Sequence, residues 1–137
     1  MAMTDRPETA VGAVIIRGEQ ILLVRRGRGP AVGHWSVPGG RIEFGETMRD
    51  AVEREVAEET GLRVVCGPYL GHVERIGTDY HFIIHDFLAE PLDNAAPVAG
   101  DDASEARWFS LRALDEVELV AGLAEFLTDH GVIRPSD

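Results

Sequence analysis

The stretch GGRIEFGETMRDAVEREVAEETGL, residues 39–62, constrains the fold more than any other part of the chain. Its second half reads as one helix with both ends marked. Thr47, with Asp50 three residues on, resembles a capping box with Asp in place of the usual Glu or Gln, and Gly61 is a natural helix stop. Between them Glu55, Glu58 and Glu59 crowd together in a chain whose net charge is already −11. Like charges three or four positions apart on a helix repel by roughly 0.2–0.5 kcal/mol a pair, so something has to offset that repulsion.

A solvated acidic face would turn these carboxylates away from the apolar stripe. At about 100° per residue, with Glu55 at zero, Met48, Val52 and Val56 fall at about 20°, 60° and 100° and mark the core-facing arc. Glu59, at about 40°, falls inside that arc, and Glu58, at about −60°, on its flank. Asp50, Glu53 and Ala57, at about 220°, 160° and 200°, make the solvent side. Carboxylates beside a buried face are costly without cations, and Arg54 alone cannot neutralise three. Oxygen-only ligands on a rigid element suit Mg²⁺ or Mn²⁺, with water and substrate phosphates completing the shell. A metal ion is therefore expected between these side chains.

The remaining pattern is strands, this helix, more strands and a last helix, which predicts one mixed α/β or α+β domain over residues 1–137. AVGAVII (10–16) and ILLVRR (21–26) read as a hairpin, LRVVCGPYLGHVERIG and DYHFIIHDFLAEP as two strands turning at Gly77–Asp79, and ARWFSL as a short strand. LDEVELVAGLAEFLTDHG carries Val120, Leu123, Ala124 and Leu127 at helical spacing and stops at Gly131. An acidic chain with 24 Asp and Glu against 13 Lys and Arg is unsuited to a nucleic acid polymer or an anionic membrane, because both demand clustered basic residues. It does not exclude a phosphorylated small molecule, since a divalent ion inverts the local field. The single cysteine, Cys66, forbids an internal disulfide and reads as a small buried strand residue. No signal peptide and no apolar run of about 18 residues is present, so a cytoplasmic protein is expected.

Gly40, Glu46, Arg54-Glu55-Val56, Glu58-Glu59, Gly61 and Leu62 fill every fixed position of Gly-x5-Glu-x7-Arg-Glu-(aliphatic)-x-Glu-Glu-x-Gly-(aliphatic). The segment 40–62 thus resembles the Nudix box, and the short chain, with Trp35-Ser36-Val37-Pro38-Gly39 leading in, is similar to compact MutT-type Nudix hydrolases. The resemblance implies an α/β/α sandwich with a mixed sheet, in which the box forms a loop–helix–loop. It implies Mg²⁺- or Mn²⁺-dependent hydrolysis of a nucleoside diphosphate derivative by water. Glu55, Glu58 and Glu59 would be metal ligands, Glu55 being the base in some members, and a backbone carbonyl of Gly39 or Gly40 would add a ligand. Glu46 and Arg54 would orient the ligands. A late-loop acid often serves as base or extra ligand; Asp101, Asp102 and Glu105 are the choices, and Glu105, nearest the strand, is favoured. The substrate would be a nucleoside triphosphate, oxidised ones included, giving the monophosphate and pyrophosphate; ADP-ribose or another nucleotide sugar is the alternative. A sensor that binds without cleaving is a third reading, weakened because all four box glutamates are present. A homodimer is compatible with the family.

Outside the box, Arg25 and Arg26, with Arg28 near, could meet substrate phosphate or ribose. Trp35 and Phe44 could stack a base, though as lone aromatics both fit packing better. His81 and His85 share a strand face, and His130 suits a helix C-terminus.

Overall fold

The β-branched run at 10–16 becomes the central strand β1 (Glu8–Arg17), buried on both faces. The computed structural model describes residues 6–29, 31–100 and 102–134. A turn at Gly18, whose φ of 62° suits a residue without Cβ, returns the chain as β2 (Gln20–Arg26). Ile16 pairs antiparallel with Ile21, so the expected hairpin forms. Then follow β3 (Trp35–Ser36), β4 (Gly39–Arg41), helix α1 (Met48–Thr60), β5 (Val64–Ile76), β6 (His81–Pro91), β7 (Ala103–Ser110) and helix α2 (Leu123–Asp129).

The strands form one sheet in the order β3-β2-β1-β6-β5, with β4 beside β1 and β7 beside β2. β1 and β6 run parallel from Glu8↔Phe82 to Ile15↔Ala89, and the other pairings are antiparallel. The sheet is therefore mixed, as the resemblance implied. Alternation along the strands sorts the apolar residues onto two faces. Val11, Ala13, Ile15, Leu22 and Phe87 pack with Ala51, Val52 and Val56 of α1. Val14, Ile21, Leu23 and Trp35 pack with Leu123, Phe126 and Leu127 of α2. Helix, sheet and helix are stacked as a sandwich. Cys66 lies in the first of these cores as a buried thiol, and burial raises its pKa.

α1 starts and stops where its caps predict. Thr47 Oγ1 accepts from the Asp50 amide at 3.1 Å, and Gly61, at φ 72°, donates its N–H to the Ala57 carbonyl. Two expectations about its faces are corrected. Met48 is 41% exposed, because the first turn runs past the edge of the core. Glu53 is not a free solvent-side residue: its carboxylate accepts the Cys66 amide of β5 at 2.9 Å, while Arg49, four residues earlier, donates to the Cys66 carbonyl.

The last helix is shorter than the periodicity predicts. Its N-terminal half cannot coil, because the Trp35 amide donates to the Glu118 carbonyl and the Val120 amide to the Trp35 carbonyl, which holds 118–120 extended beside β3. Only Leu114–Glu116 forms a 3₁₀ turn, and Gly122, at φ 85°, opens α2. Within α2, Ala124 is exposed and Phe126 is buried in its stead. His130 caps α2, as expected of it. β7 starts earlier than ARWFSL, because Arg26 of β2 pairs with Ala103 past a bulge.

Candidate active site

Two short structures present the carboxylates. β4 pairs with β1 through Gly12↔Gly39, so close that a Cβ on Gly39 would strike the Val11 carbonyl. Gly40 then lies under α1, where a Cβ would collide with the carboxylate of Glu55. The missing side chains are what allow Glu55 to reach the strand. The amide of Gly39 donates to Glu59 Oε1 at 2.7 Å. Glu55 and Glu59 therefore converge on the Gly39–Gly40 backbone, as residues one helical turn apart can.

Arg54 organises the other side. Its guanidinium grips Glu46 with both arms, Nε to Oε2 at 2.6 Å and Nη2 to Oε1 at 2.9 Å. It also donates to Glu55 at 3.2 Å, to Glu58 at 3.1 Å and to the Arg41 carbonyl at 3.0 Å. Glu46 takes the Glu43 amide as well, closing the loop before the helix. The Arg54 hydrogen bond, then the Glu43 amide, hold the Glu46 carboxyl down to about 2, and the same pair raises the Arg54 pKa further.

Glu59 behaves oppositely. Burial pushes its pKa up to about 7; the Gly39 amide opposes this, the Glu55 charge adds to it, and Arg26 lowers it. A half-buried carboxyl beside another carboxylate is a place where a positive charge would be stabilised. The donors are oxygens alone, which suits a hard divalent ion. Among the described residues no three acids stand gathered tightly enough to hold an ion. Arg54 pairs with both Glu55 and Glu58, and the Glu58 side chain is 41% exposed. The residue types and the glycine cradle fit a metal.

The remaining candidates divide by sheet face. In β2, Leu22 faces α1 and Leu23 faces α2, so Arg26 points to the α1 side and Arg25 to the other. Arg26 acts on Glu59 through its charge. Arg25 pairs in register with both Trp35 and Glu105, which puts all three on the α2 face, away from the box carboxylates. Glu105 is held there by Arg107 at 2.7 Å and Arg25 at 3.2 Å, and these two, Arg107 first, lower its pKa. The preference for Glu105 as late-loop acid is corrected on this geometry. Asp102, bound to Arg28, is the acid whose charge reaches Glu59. Asp101 lies outside the described residues.

Trp35 is a packing residue: 8% exposed, edge-on to Phe109 at 4.7 Å, with Arg107 over its ring. It lines, with Arg25, Arg107 and Phe109, a groove of about 440 Å³ on the α2 face. Phe44 is neither packed nor in a groove; it is fully exposed. His85 hydrogen-bonds to Tyr69 at 3.0 Å. Sequence reasoning missed Asp86, next to it, which is 3% exposed with its Oδ1 unpartnered. The signal available was one acid within the apolar run FIIHDFLA.

A family model described as the NUDIX domain matches residues 6–130. The chain belongs to the NUDIX family. Among its relatives, the ADP-ribose pyrophosphatase of Methanocaldococcus jannaschii is 37% identical over 113 residues, covering 81% of this chain and 66% of that protein. The oxidized purine nucleoside triphosphate hydrolase of Mus musculus is 30% identical over 118 residues, covering 85% and 73%. The chain thus spans just under two thirds of the archaeal relative's length. The MutT protein of Methanosarcina mazei Go1 superposes with a TM-score of 0.82 at 27% identity, covering 95% of this chain and 96% of that one. The NUDIX match contains the whole segment from Gly39 to Leu62, so the cradle, the Arg54 network and the half-buried Glu59 all lie inside the family's domain. Among the described residues no helix is long and apolar enough to cross a membrane.

Proposed function

We propose that this NUDIX protein hydrolyses the pyrophosphate bond of a nucleoside diphosphate derivative with the help of a divalent cation, Mg²⁺ or Mn²⁺. The observation that carries the reading is the convergence of Glu55 and Glu59 on a side-chain-free Gly39–Gly40 backbone, with Glu58 adjacent. Glu55, Glu58, Glu59 and a carbonyl of Gly39 or Gly40 are the oxygens that would hold the ion. When bound, such an ion neutralises diphosphate charge and lowers the pKa of a water molecule.

The chain's own residues divide the remaining work. Glu46 and Arg54 fix the loop before α1 against the helix and hold the Glu55 carboxylate in place, a supporting role that typically changes metal affinity or activity about 10–100-fold. Arg26, whose charge acts on Glu59 from the same face, would meet phosphate oxygen. Glu55, and Asp102 from the late loop, are the acids available to accept the proton of the attacking water. No covalent nucleophile is required.

A nucleoside triphosphate is the first substrate class, giving the monophosphate and pyrophosphate. The 37% identity to an archaeal protein named ADP-ribose pyrophosphatase favours a second, ADP-ribose or another nucleotide sugar. A panel of both classes with Mg²⁺, products identified by mass, separates them. Tight binding of one nucleotide with no product from any would replace the enzyme by a sensor.

A further inference from the structure

We propose that the outer edge of β5 from Gly71 to Ile76 is a docking strand for a second copy of this chain. The two β5 strands pair antiparallel about a two-fold axis at Val73, so that the sheet runs on through the dimer. The inference stands apart from the choice of substrate and metal.

β5 ends the sheet and pairs with β6 alone. An open strand edge presents a row of unpaired N–H and C=O groups, which is a template for another strand. Elsewhere the fold covers such groups. Beside β3, the backbone of Glu118 and Val120 takes up the amide and carbonyl of Trp35. At the start of β5, Glu53 and Arg49 of α1 meet the amide and carbonyl of Cys66, and the irregular register on either side of Tyr69, with Pro68 beside it, breaks the line. From Gly71 onward the strand is regular, pairing residue by residue from Gly71↔Asp86 to Ile76↔His81 without proline or bulge. Among the described residues no group is hydrogen-bonded to the outer side of this stretch of backbone.

The side chains along this edge match their own reverse order. Tyr69, against Phe87, and His72, facing His85, lie on the α1 face, and alternation puts Glu74 and Ile76 there too. Tyr69 is 49% exposed and Ile76 68%, and the side chains of His72 and Glu74 are more than half exposed. With Val73 opposite the partner's Val73, His72 faces the partner's Glu74, and Glu74 the partner's His72. Tyr69 and Ile76 pair with Phe87 and His81, which lie equally far along β6 from Ile84, opposite Val73. They are therefore equidistant from the axis, and Tyr69 falls beside the partner's Ile76. Opposite charges, and an aromatic ring against a β-branched residue, are favourable cross-strand pairs. On the α2 face Gly71 meets the partner's Arg75, small against large. Charged side chains on an edge deter strands in general; here their order suits the same chain reversed. The contact is short, below about 1,200 Å² in all, which makes the association weak and reversible.

The experiment is sedimentation equilibrium of the full chain from about 5 µM to about 500 µM, at low salt so that exposed charge pairs are least screened. Wild type is expected to show a monomer–dimer equilibrium. His72→Glu sets a carboxylate opposite each Glu74, and Glu74→Lys sets an ammonium opposite each His72. Each variant alone should dimerise at least about tenfold more weakly, while its melting temperature at the lowest concentration stays within about 3 °C of wild type, both positions being exposed. Mixed in equal amounts, the two variants should recover the wild-type association, because the introduced acid and the introduced base then face one another across the axis. A change within one chain cannot produce that recovery. Should either variant fail to fold, Ile76→Asp, which sets a charge beside the partner's Tyr69, must weaken the dimer to the same degree. Wild type that stays monomeric throughout, or a dimer that none of these substitutions weakens, overturns the proposal. A mixture that stays monomeric overturns it as well, since the register at Val73 requires the recovery.

Discussion

At the scale of single residues, identity in the box says less than environment. Glu46 and Glu59 are both box glutamates on the sequence, yet one is held to about 2 by the Arg54 fork and the other raised to about 7 by burial. The first stays charged to hold an arginine; the second gains from any cation that approaches it. Substituting Glu59→Gln removes a charge that the buried site disfavours while keeping the shape. Turnover should fall by about 100-fold or more if a metal ligand is lost, while the melting temperature in EDTA should hold or rise. Retained turnover would release Glu59 from the metal assignment. Glu105→Gln is the counter-case. It sits on the far face between Arg25 and Arg107, both exposed, so turnover should stay within about threefold, the residue being a surface ion pair of small worth. A large loss would restore it to catalysis.

At the scale of elements, α1 is held to the sheet by more than its apolar stripe. Arg49 and Glu53 bind the carbonyl and amide of one residue, Cys66, on the outermost strand β5. That edge has no further strand to satisfy it, so the helix supplies the partners. Glu53→Ala should cost about 1–2 kcal/mol of stability by leaving the Cys66 amide unmet, whereas Ala57→Ser, on the exposed side, should change little; denaturant midpoints read both. This clamp could not be seen in the sequence, because a helical wheel gives the angle of Glu53 and not the strand that comes to meet it. The caps at Thr47 and Gly61, the β1–β2 hairpin and the half-buried setting of Glu55 and Glu59 were legible because each is decided by residues close in the chain, whereas Glu58, expected on the same flank, is exposed beside Arg54. The extent of α2 was not. LVAG at 119–122 fits a helix locally, but backbone hydrogen bonds to Trp35, more than eighty residues earlier, hold that segment extended. The face of Glu105 was hidden for a similar reason: its register against Arg25 is set by a strand pairing across the whole domain.

For the whole molecule, the two raised carboxyls set how stability responds to pH. Asp86 and Glu59 both titrate near 7 in the folded protein, against 3.8 and 4.5 as their ordinary values. Between those limits the folded state keeps protons that the unfolded state has lost. Unfolding then releases protons, so stability falls as pH rises from about 4.5 to about 7 and levels off above. Below about 4.5 the lowered groups reverse the trend: Glu46, held near 2 by Arg54, and Glu105, lowered by Arg107, must both be protonated for the chain to unfold at lowest cost. The metal-free protein should therefore be most stable near pH 5. Urea midpoints in EDTA from pH 4 to pH 9 measure this, and a midpoint that climbs from pH 5 to pH 8 would contradict the burial argument. Asp86→Leu should remove its share of the slope, which separates that carboxyl from the general relief of charge repulsion in a chain of net −11. Adding Mg²⁺ or Mn²⁺ should raise the midpoints most above pH 7, since a metal ligand binds as the carboxylate and its proton must leave first. The pH of greatest stability would then move upward with metal concentration, and an optimum that stays near pH 5 at saturating metal would mean that Glu59 does not hold the ion.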